Sequence, residues 1–436
     1  MGIEHEHVHD LIGVGIGPFN LSLAALLDQI PEVDAVFFEQ REGFDWHPGM
    51  LIDGTRMQVP FLADLVTMAD PMSPYSFLNY LTEHNRMYRF YFLQRLEIPR
   101  NEYNHYCQWA VNKLESCRFN HRVVGLVHDE NEEVFRVKVL NLKTEQTETY
   151  LAKNLVLGTG SIPSMPKSFQ ELEGENLFHT SEFITHQERC RKAKSITLVG
   201  SGQSAAEVFR ELLREQGENG YRLDWITRSK GFSSMEESQL SLEHFSPDYV
   251  DYFYQLPQEK KDQVFAGQEL LYKGISSHTI TDIYDLLYEY SLGGQSLDVG
   301  LQVLTEVSSM EKLGDGYRLK CHQWQQEADF THDSQVVIVG TGYRPNIPEF
   351  VHELGDYLQW DDCNRYIVDS DYRLKLGKDV PNQIYVHSGI SHSHGVGSTN
   401  LGLAVQRNKI IINHLLGKPY YPMSKQSIFQ KFSGKE

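Results

Sequence analysis

The sequence predicts an α/β fold built on two β-α-β units, one set inside the other. Three observations predict it. In "DLIGVGIGPFNLSLAALL" a strand-like run reaches Gly13-Val14-Gly15 and enters a helical pattern. In "SITLVGSGQSAAEVF" the same order recurs at Gly200-Ser201-Gly202. Each turn is then followed by a second strand, "DAVFFEQ" ending at Glu39 and "YRLDWITRS" ending at Arg228. Strand, tight turn, helix and strand within about 30 residues is the β-α-β signature.

The bulk numbers suit this reading. The chain has 436 residues, room for two or three domains of about 100–200 residues. Hydrophobic residues make up 40% and charged residues 23%, so a packed core is expected rather than disorder. A formal net charge of −19 argues against nucleic acid as a partner. Five scattered cysteines (Cys107, Cys117, Cys190, Cys321, Cys363) include no C-x-x-C pair. They read as reduced thiols of a cytoplasmic protein, with no zinc or disulfide framework. "MGIEHEHVHD" lacks the basic and apolar regions of a signal peptide, and Glu6 stands where a myristoylation signal needs Ser or Thr. Leu11–Leu27 is uncharged, but its glycine turn, Pro18 and Asn20 fit strand-turn-helix better than a membrane span. His5, His7 and His9 read as a solvated leader to the first strand rather than as metal ligands.

After the first unit, "SPYSFLNYLTEH" reads as a helix with Ser73 as N-cap and Pro74 at its first position. "RNEYNHYCQWAVNKLES" places Tyr103, Cys107, Ala110 and Leu114 on one face at helical spacing, as core. "RVVGLVHDE", "VFRVKVLNL" and "TETYLAKNLVLGTG" read as an antiparallel meander returning to the main sheet. The second unit follows. Residues 236–300 are mostly helical and rich in Tyr and acids. "LVLGTGSIP" and "VVIVGTGYRP" are apolar strands ending in Gly-Thr-Gly, which mark crossings between domains.

The two turns carry chemistry. A glycine turn at a helix N-terminus lets backbone N–H groups approach a pyrophosphate, and the helix dipole favours its charge. In the first unit Gly13, Gly15, Gly17 and Pro18 form a variant of the Rossmann-like fingerprint, and Glu39 offers a carboxylate to a ribose diol. That signature suits FAD. In the second unit Gly200, Gly202, Gln203 and Ser204 form the turn, and Arg228 replaces the acid. A ribose 2′-phosphate needs a cation there, so this unit suits NADPH. An Arg on a surface loop is the plainer reading of Arg228. A chain holding both nucleotides is built to pass a hydride from nicotinamide to flavin.

At these residues the chain resembles the flavin-dependent N-hydroxylating monooxygenases of siderophore biosynthesis. "GVGIGPFNLSLAAL" resembles the FAD turn of lysine N6- and ornithine N5-monooxygenases. "FDWHPGML" with "MQVPFLADLVTMADPMSPYSFLNYL" resembles the flavin- and substrate-facing segment. "GSGQSAAE" resembles the NADPH turn, "GTGYRP" the late signature, and "SHSHGVGSTNLGL" the His-Gly segment near the flavin. The resemblance runs over most of the chain. It implies that Trp46, His47, Met50 and Gln58 line the flavin side, with packing under a loop as their plain alternative, and that His394-Gly395 sits near the isoalloxazine. A metal role for His387, His392 and His394 is allowed by residue type alone. The lack of C-x-x-C excludes a thioredoxin-reductase-like enzyme. "NLFHTSEF" lacks the Gly and Trp of a Baeyer–Villiger fingerprint.

The implied activity is NADPH- and O2-dependent N-hydroxylation of a primary amine to a hydroxylamine. It needs positioning and exclusion of water more than side-chain acid–base chemistry, so no catalytic residue is assigned. The departures from the family are informative. Amino-acid-hydroxylating members resemble M-Q-x-x-F-L-K-D-L, whose Lys meets the substrate carboxylate; here "MQVPFLADL" has Ala63. The Asn of an N-E-x-F-x-P pattern is replaced in "LEHFSP" by Leu242. Burying a carboxylate without those partners costs several kcal/mol. A carboxylate-free amine such as histamine, putrescine or cadaverine is therefore expected at Gln58, Ala63 and Leu242. Lysine or ornithine held by a different cation from the 236–300 region is the alternative. A non-hydroxylating NADPH oxidase and a flavin-free nucleotide sensor are readings of other classes. The expected organisation is an FAD domain in two parts, 1–165 and 333–436, with an NADPH domain inserted at 166–332 and a helical substrate region near 236–300. A homo-oligomer, a tetramer by resemblance, is expected.

Overall fold

The computed structural model describes residues 7–294, 297–423 and 426–434. The first sheet starts with β1 (Val8–Val14) and β2 (Ala35–Phe38), joined by the Pro18–Leu27 helix, and adds β3 (Cys117–Arg118), β4 (His121–Asp129), β5 (Val134–Asn141) and β6 (Thr147–Leu157). Their spatial order is β3-β2-β1-β6-β5-β4, and the late strand Gln383–Val386 also pairs with β6. β6 does two jobs along its length. Its first half pairs antiparallel with β5, from Phe135↔Ala152 to Leu140↔Thr147. Its second half pairs parallel with Gln383–Val386, from Asn154 to Leu157. The expected meander is therefore the continuation of the parallel sheet, not a separate layer.

The second half of β1, Leu11–Val14, is apolar and buried because both faces are covered, as parallel sheets require. Leu11 packs with Leu21, Val405 and Ile412 of two helices on one face. Ile12 and Val14 pack with Val137, Leu155 and Tyr366 on the other. The Arg100–Val111 helix buries Tyr103, Cys107 and Ala110 as its spacing predicts, with Leu114 just beyond its end. The helix expected from Ser73 begins later. It spans Phe77–Glu83 with Ser76 as N-cap, whose hydroxyl accepts from Asn79 N–H; the Ser73 hydroxyl instead accepts from Tyr75 N–H in the preceding turn.

The chain leaves this unit through β7 (Ser161–Pro163). β8 (Leu177–His179), β9 (Ser195–Val199), β10 (Arg222–Ile226) and β11 (Val299–Gln302) belong to a second parallel sheet. A three-stranded antiparallel meander, β12 (Thr305–Leu313), β13 (Gly316–Gln323) and β14 (Ala328–Ser334), leads to β15 (Val336–Val339). β15 lies between β9 and β8 in the order β11-β10-β9-β15-β8. The boundary expected at 333 is thus too early: hydrogen bonding keeps residues through Val339 in the second sheet. The return strand β16 (Tyr343–Pro345) pairs antiparallel with β7, so outbound and returning crossings form one two-stranded ribbon before β17 (Gln383–Val386) closes the first sheet. Between β10 and β11 lie helices Gln239–Leu242, Pro247–Tyr254, Gln258–Gly267 and Ser277–Tyr290, the expected helical region. No helix among the described residues is long and apolar enough to cross a membrane.

Candidate functional site

The first cradle sits two residues later than the sequence suggested. "GVGIG" offers two overlapping G-x-G frames, and the backbone selects Gly15-Ile16-Gly17. Gly13 lies inside β1; a Cβ there would sit 2.0 Å from Phe37 Cδ1, so its smallness serves packing. The left-handed backbone falls on Gly15, at φ +86°, where a Cβ would lie 2.5 Å from the Gly158 carbonyl oxygen. Gly17 is the N-cap, with Pro18 at the first helical position, and nothing lies within 4 Å of where its Cβ would be. That open face, at a helix N-terminus, is where a pyrophosphate can approach. Glu39 leaves β2 with its carboxylate turned over the cradle, accepting from Ile16 N–H at 2.9 Å and Arg41 N–H at 3.0 Å. A carboxylate so fixed retains lone pairs for a ribose diol. Asn20, which sequence reasoning missed, donates to Gly15 O at 2.7 Å and lies beneath Gly158, where a Cβ would meet its amide at 2.4 Å.

The cradle opens into a cavity of about 2520 Å³. Gly15, Gly17, Pro18, Glu39, Trp46, His47, Gln58, Ala63 and Leu242 line it. His47 stands between Trp46 and Tyr343, with ring centroids 4.8 and 5.9 Å away. Burial, assisted by Arg100 and Arg41, lowers its pKa to about 4, so the ring is neutral at pH 7. Gln58 donates toward Met235 Sδ at 3.3 Å, joining the first unit to the helical region. Ala63 is buried, and a Cβ built on Gly402 would come within 3.7 Å of it.

Two expected flavin neighbours lie elsewhere. Met50 is buried in the core of the second unit with Phe178 and Phe183, because Pro48–Met50 docks there: a Cβ on Gly49 would overlap Ser181 O. His394 is not in the cavity wall. It is stacked on Tyr372 at 4.4 Å, and burial lowers its pKa to about 3. His387 and His392 do line the cavity, and buried Arg407 holds the His387 carbonyl at 2.7 Å and that of Ser398 at 2.9 Å. These three histidines do not converge. Among the described residues the one group of three with metal-type donors is His7, His9 and Asp34. Both rings meet Asp34 Oδ2 at 2.7 Å, and His9 is a buried residue of β1 rather than part of a solvated leader. His5 lies outside the described residues.

The second cradle repeats the first. Gly200 takes φ +133°, with a Cβ position 2.2 Å from Gly340 O, as Gly15 does against Gly158. Each Gly-Thr-Gly crossing is thus the floor of one cradle. Gly202 caps the Gln203–Asn219 helix, and Ser204 lies half-buried in its first turn. The Gln203 side chain is taken up inside the protein: it accepts from Ser276 N–H at 2.8 Å and donates to Glu207 and Thr279. What it can offer a nucleotide is its backbone. Arg228 is exposed just beyond β10. Its loop is tied to the turn by Ser201 Oγ and Ser229 Oγ, 2.9 Å apart. Arg228→Ala should lower the preference for NADPH over NADH by about 10- to 100-fold, since a hydrogen bond to a charged group is worth about 1.5–3 kcal/mol. Flavin-reduction kcat/KM with each nucleotide checks this; an unchanged ratio would leave Arg228 as an ordinary surface arginine.

A buried ion pair links the two units. Arg100, at the start of the Arg100–Val111 helix, donates to both Glu207 oxygens at 2.8 and 2.7 Å and to Met50 O at 2.9 Å. Glu207 is 1% exposed on the helix of the second cradle.

Comparison with known proteins agrees with this geometry. A family model described as L-lysine 6-monooxygenase/L-ornithine 5-monooxygenase matches residues 7–345. The chain is 38% identical over 428 residues to a putrescine N-hydroxylase of Shewanella oneidensis, covering 98% of this chain and 84% of that protein. The FAD-bound cadaverine monooxygenase of the desferrioxamine pathway of Erwinia amylovora superposes with a TM-score of 0.95 at 40% identity, over 99% of this chain and 100% of that one. An ornithine N-hydroxylase of Kutzneria sp. 744, solved with reduced FAD, NADP+ and L-ornithine, superposes with a TM-score of 0.87 at 29% identity, over 94% and 99% of the two chains.

Proposed function

The chain belongs to the L-lysine 6-monooxygenase/L-ornithine 5-monooxygenase family, and from that premise we propose that its substrate is an aliphatic diamine, hydroxylated on one nitrogen for siderophore assembly. It is an FAD- and NADPH-dependent amine N-monooxygenase. The overall reaction takes R–NH2, O2, NADPH and a proton to R–NHOH, NADP+ and water. The bound flavin supplies hydride acceptance and oxygen activation.

The chain's own residues do the rest. Gly15, Gly17 and Glu39 hold the flavin nucleotide; Gly200, Gly202 and Arg228 hold NADPH. Ala63 and Leu242 line the cavity where relatives hold the substrate carboxylate, the end away from the reacting nitrogen. A desolvated amine has a lowered pKa, and the neutral form is the one with a lone pair to take up oxygen.

The observation that carries the diamine reading is that buried Ala63, with no cation or amide of its own, lines the cavity. The names of the putrescine and cadaverine enzymes among its relatives support it. A lysine- or ornithine-type substrate has one specific observation in its favour. Of two lysines lining the cavity, Lys273 is already paired with Glu269 at 2.6 Å. Lys409, however, is 5% exposed and has no ion-pair or hydrogen-bond partner among the described residues. It lies seven residues beyond Gly402 on the Leu401–Leu416 helix, roughly 10 Å along the axis at 1.5 Å per residue. Replacing it tests Lys409 as the carboxylate's partner. Lys409→Met should leave the kcat/KM ratio of cadaverine to lysine within about threefold. A fall of tenfold or more confined to lysine, about 1.4 kcal/mol, would move the carboxylate to Lys409 and overturn the diamine reading.

We also place the protein in the cytoplasm as a homo-oligomer, a tetramer by resemblance. Its five cysteines as free thiols, three of them buried, support a reducing compartment.

A further inference from the structure

We propose that the C-terminal strap, residues 426–434, is the end wall of the substrate cavity and that Ile428 sets the length of diamine the enzyme accepts. This rests on the diamine reading above.

The strap is fastened at defined points to the helical region that carries Leu242. Asp248 accepts from the Ser427 N–H at 3.0 Å and from its hydroxyl. The Glu243 carboxylate accepts from Phe429 N–H at 3.0 Å and Gln430 N–H at 2.9 Å. The Gln430 amide donates to Leu240 O. Phe432 then inserts among His244, Tyr249 and Tyr252, with ring centroids 5.0, 4.7 and 5.9 Å away. Three backbone N–H groups and an aromatic plug are more than a passing tail requires.

These fastenings fix which strap residue faces inward. Ser427 and Ile428 line the same cavity as Ala63 and Leu242. Ile428 is half-buried, whereas its neighbour Phe429 is 94% exposed and points to solvent. Glu243 follows Leu242 in the chain and holds the N–H of Phe429, which follows Ile428. Leu242 and Ile428 thus each lie one residue from a shared hydrogen-bonded junction and line the same cavity. A linear diamine placing one nitrogen at the reacting end sends its methylenes past this wall and its second, charged nitrogen to a cavity whose lining also includes the carboxylates of Glu237 and Asp262, and the side chain at the wall limits how many methylenes fit.

The test uses the FAD-loaded full chain with putrescine, cadaverine and 1,6-diaminohexane, measuring hydroxylamine formed. Ile428→Ala should shift the kcat/KM ratio toward the longer diamine, and Ile428→Phe toward the shorter, each by about tenfold or more, the lower range for one methylene in an apolar pocket. Phe429→Ala, on the same strap but facing solvent, should leave the ratio unchanged. Flavin absorbance of each variant reports folding. Unchanged ratios in both Ile428 variants, with flavin bound, would overturn the proposal. An equal shift in Phe429→Ala would also overturn it, by making the effect one of strap docking. Hydroxylamine from no diamine in the wild type would instead overturn the reading of function on which the wall's role depends.

Discussion

Gly15→Val should purify without flavin and lose amine hydroxylation altogether. Two costs coincide at this residue. A β-branched side chain resists the left-handed conformation at φ +86°, worth about 1–2 kcal/mol by the sterics of L-residues. Its Cβ would also stand 2.5 Å from Gly158 O, so the floor and the turn must part. The parting happens where backbone N–H groups have to converge on a pyrophosphate. A substitution at Gly13 tests the shifted frame. Gly13→Ala presses a methyl group into the Phe37 ring, so it should lower stability more than flavin affinity. Flavin absorbance of the purified proteins and FAD titration of the apoproteins separate the two. Full flavin retention by Gly15→Val would return the cradle to Gly13.

Arg100→Ala should cost about 3–5 kcal/mol of stability, the usual consequence of leaving a buried charge without its partner. The stranded group is Glu207, 1% exposed, which then keeps only the Gln203 amide at 2.9 Å. Because Arg100 also holds Met50 O, the loop from Trp46 to Ile52 loses an anchor as well. The damage should therefore reach the contact between the flavin and nicotinamide units. Denaturant unfolding of the FAD-loaded protein measures the loss, and flavin reduction by NADPH should slow with it. Removing both charges in Arg100→Ala/Glu207→Ala should recover part of the lost stability, since no isolated charge remains. A single-variant cost below about 1 kcal/mol, the range of an exposed pair, would show the pair to be solvated and the link dispensable.

Much of this architecture was legible in the sequence because its signals are local. A strand, a glycine turn, a helix and the residue closing the next strand lie within one β-α-β unit, so both units could be read from short stretches of sequence. The frame of the first turn was not legible. Gly13, Gly15 and Gly17 alternate, any neighbouring pair satisfies G-x-G, and only the dihedral at Gly15 distinguishes them. The boundary near 333 misled because an apolar strand does not say which sheet it joins; β15 pairs with β8 and β9. Met50 lies in a segment that resembles a flavin-facing one, but its side chain fills the core beneath the second sheet. His394 sits in a histidine-rich segment where only the fold shows that His387 and His392 face the cavity. The substrate wall is the least local feature of all. Ala63, Leu242, Gly402 and Ile428 come from four distant segments, and Ile428 carries no motif.

The central claim is that this cavity transfers oxygen to a carboxylate-free diamine. The most direct test is the stoichiometry of the FAD-loaded enzyme under NADPH and O2, counting hydroxylamine, peroxide and NADPH consumed. The panel is putrescine, cadaverine, lysine and ornithine. The account predicts close to one hydroxylamine per NADPH with putrescine or cadaverine, and with lysine and ornithine NADPH consumption that ends mainly in peroxide. Tight coupling with lysine or ornithine, or peroxide as the sole product from every amine, would contradict it.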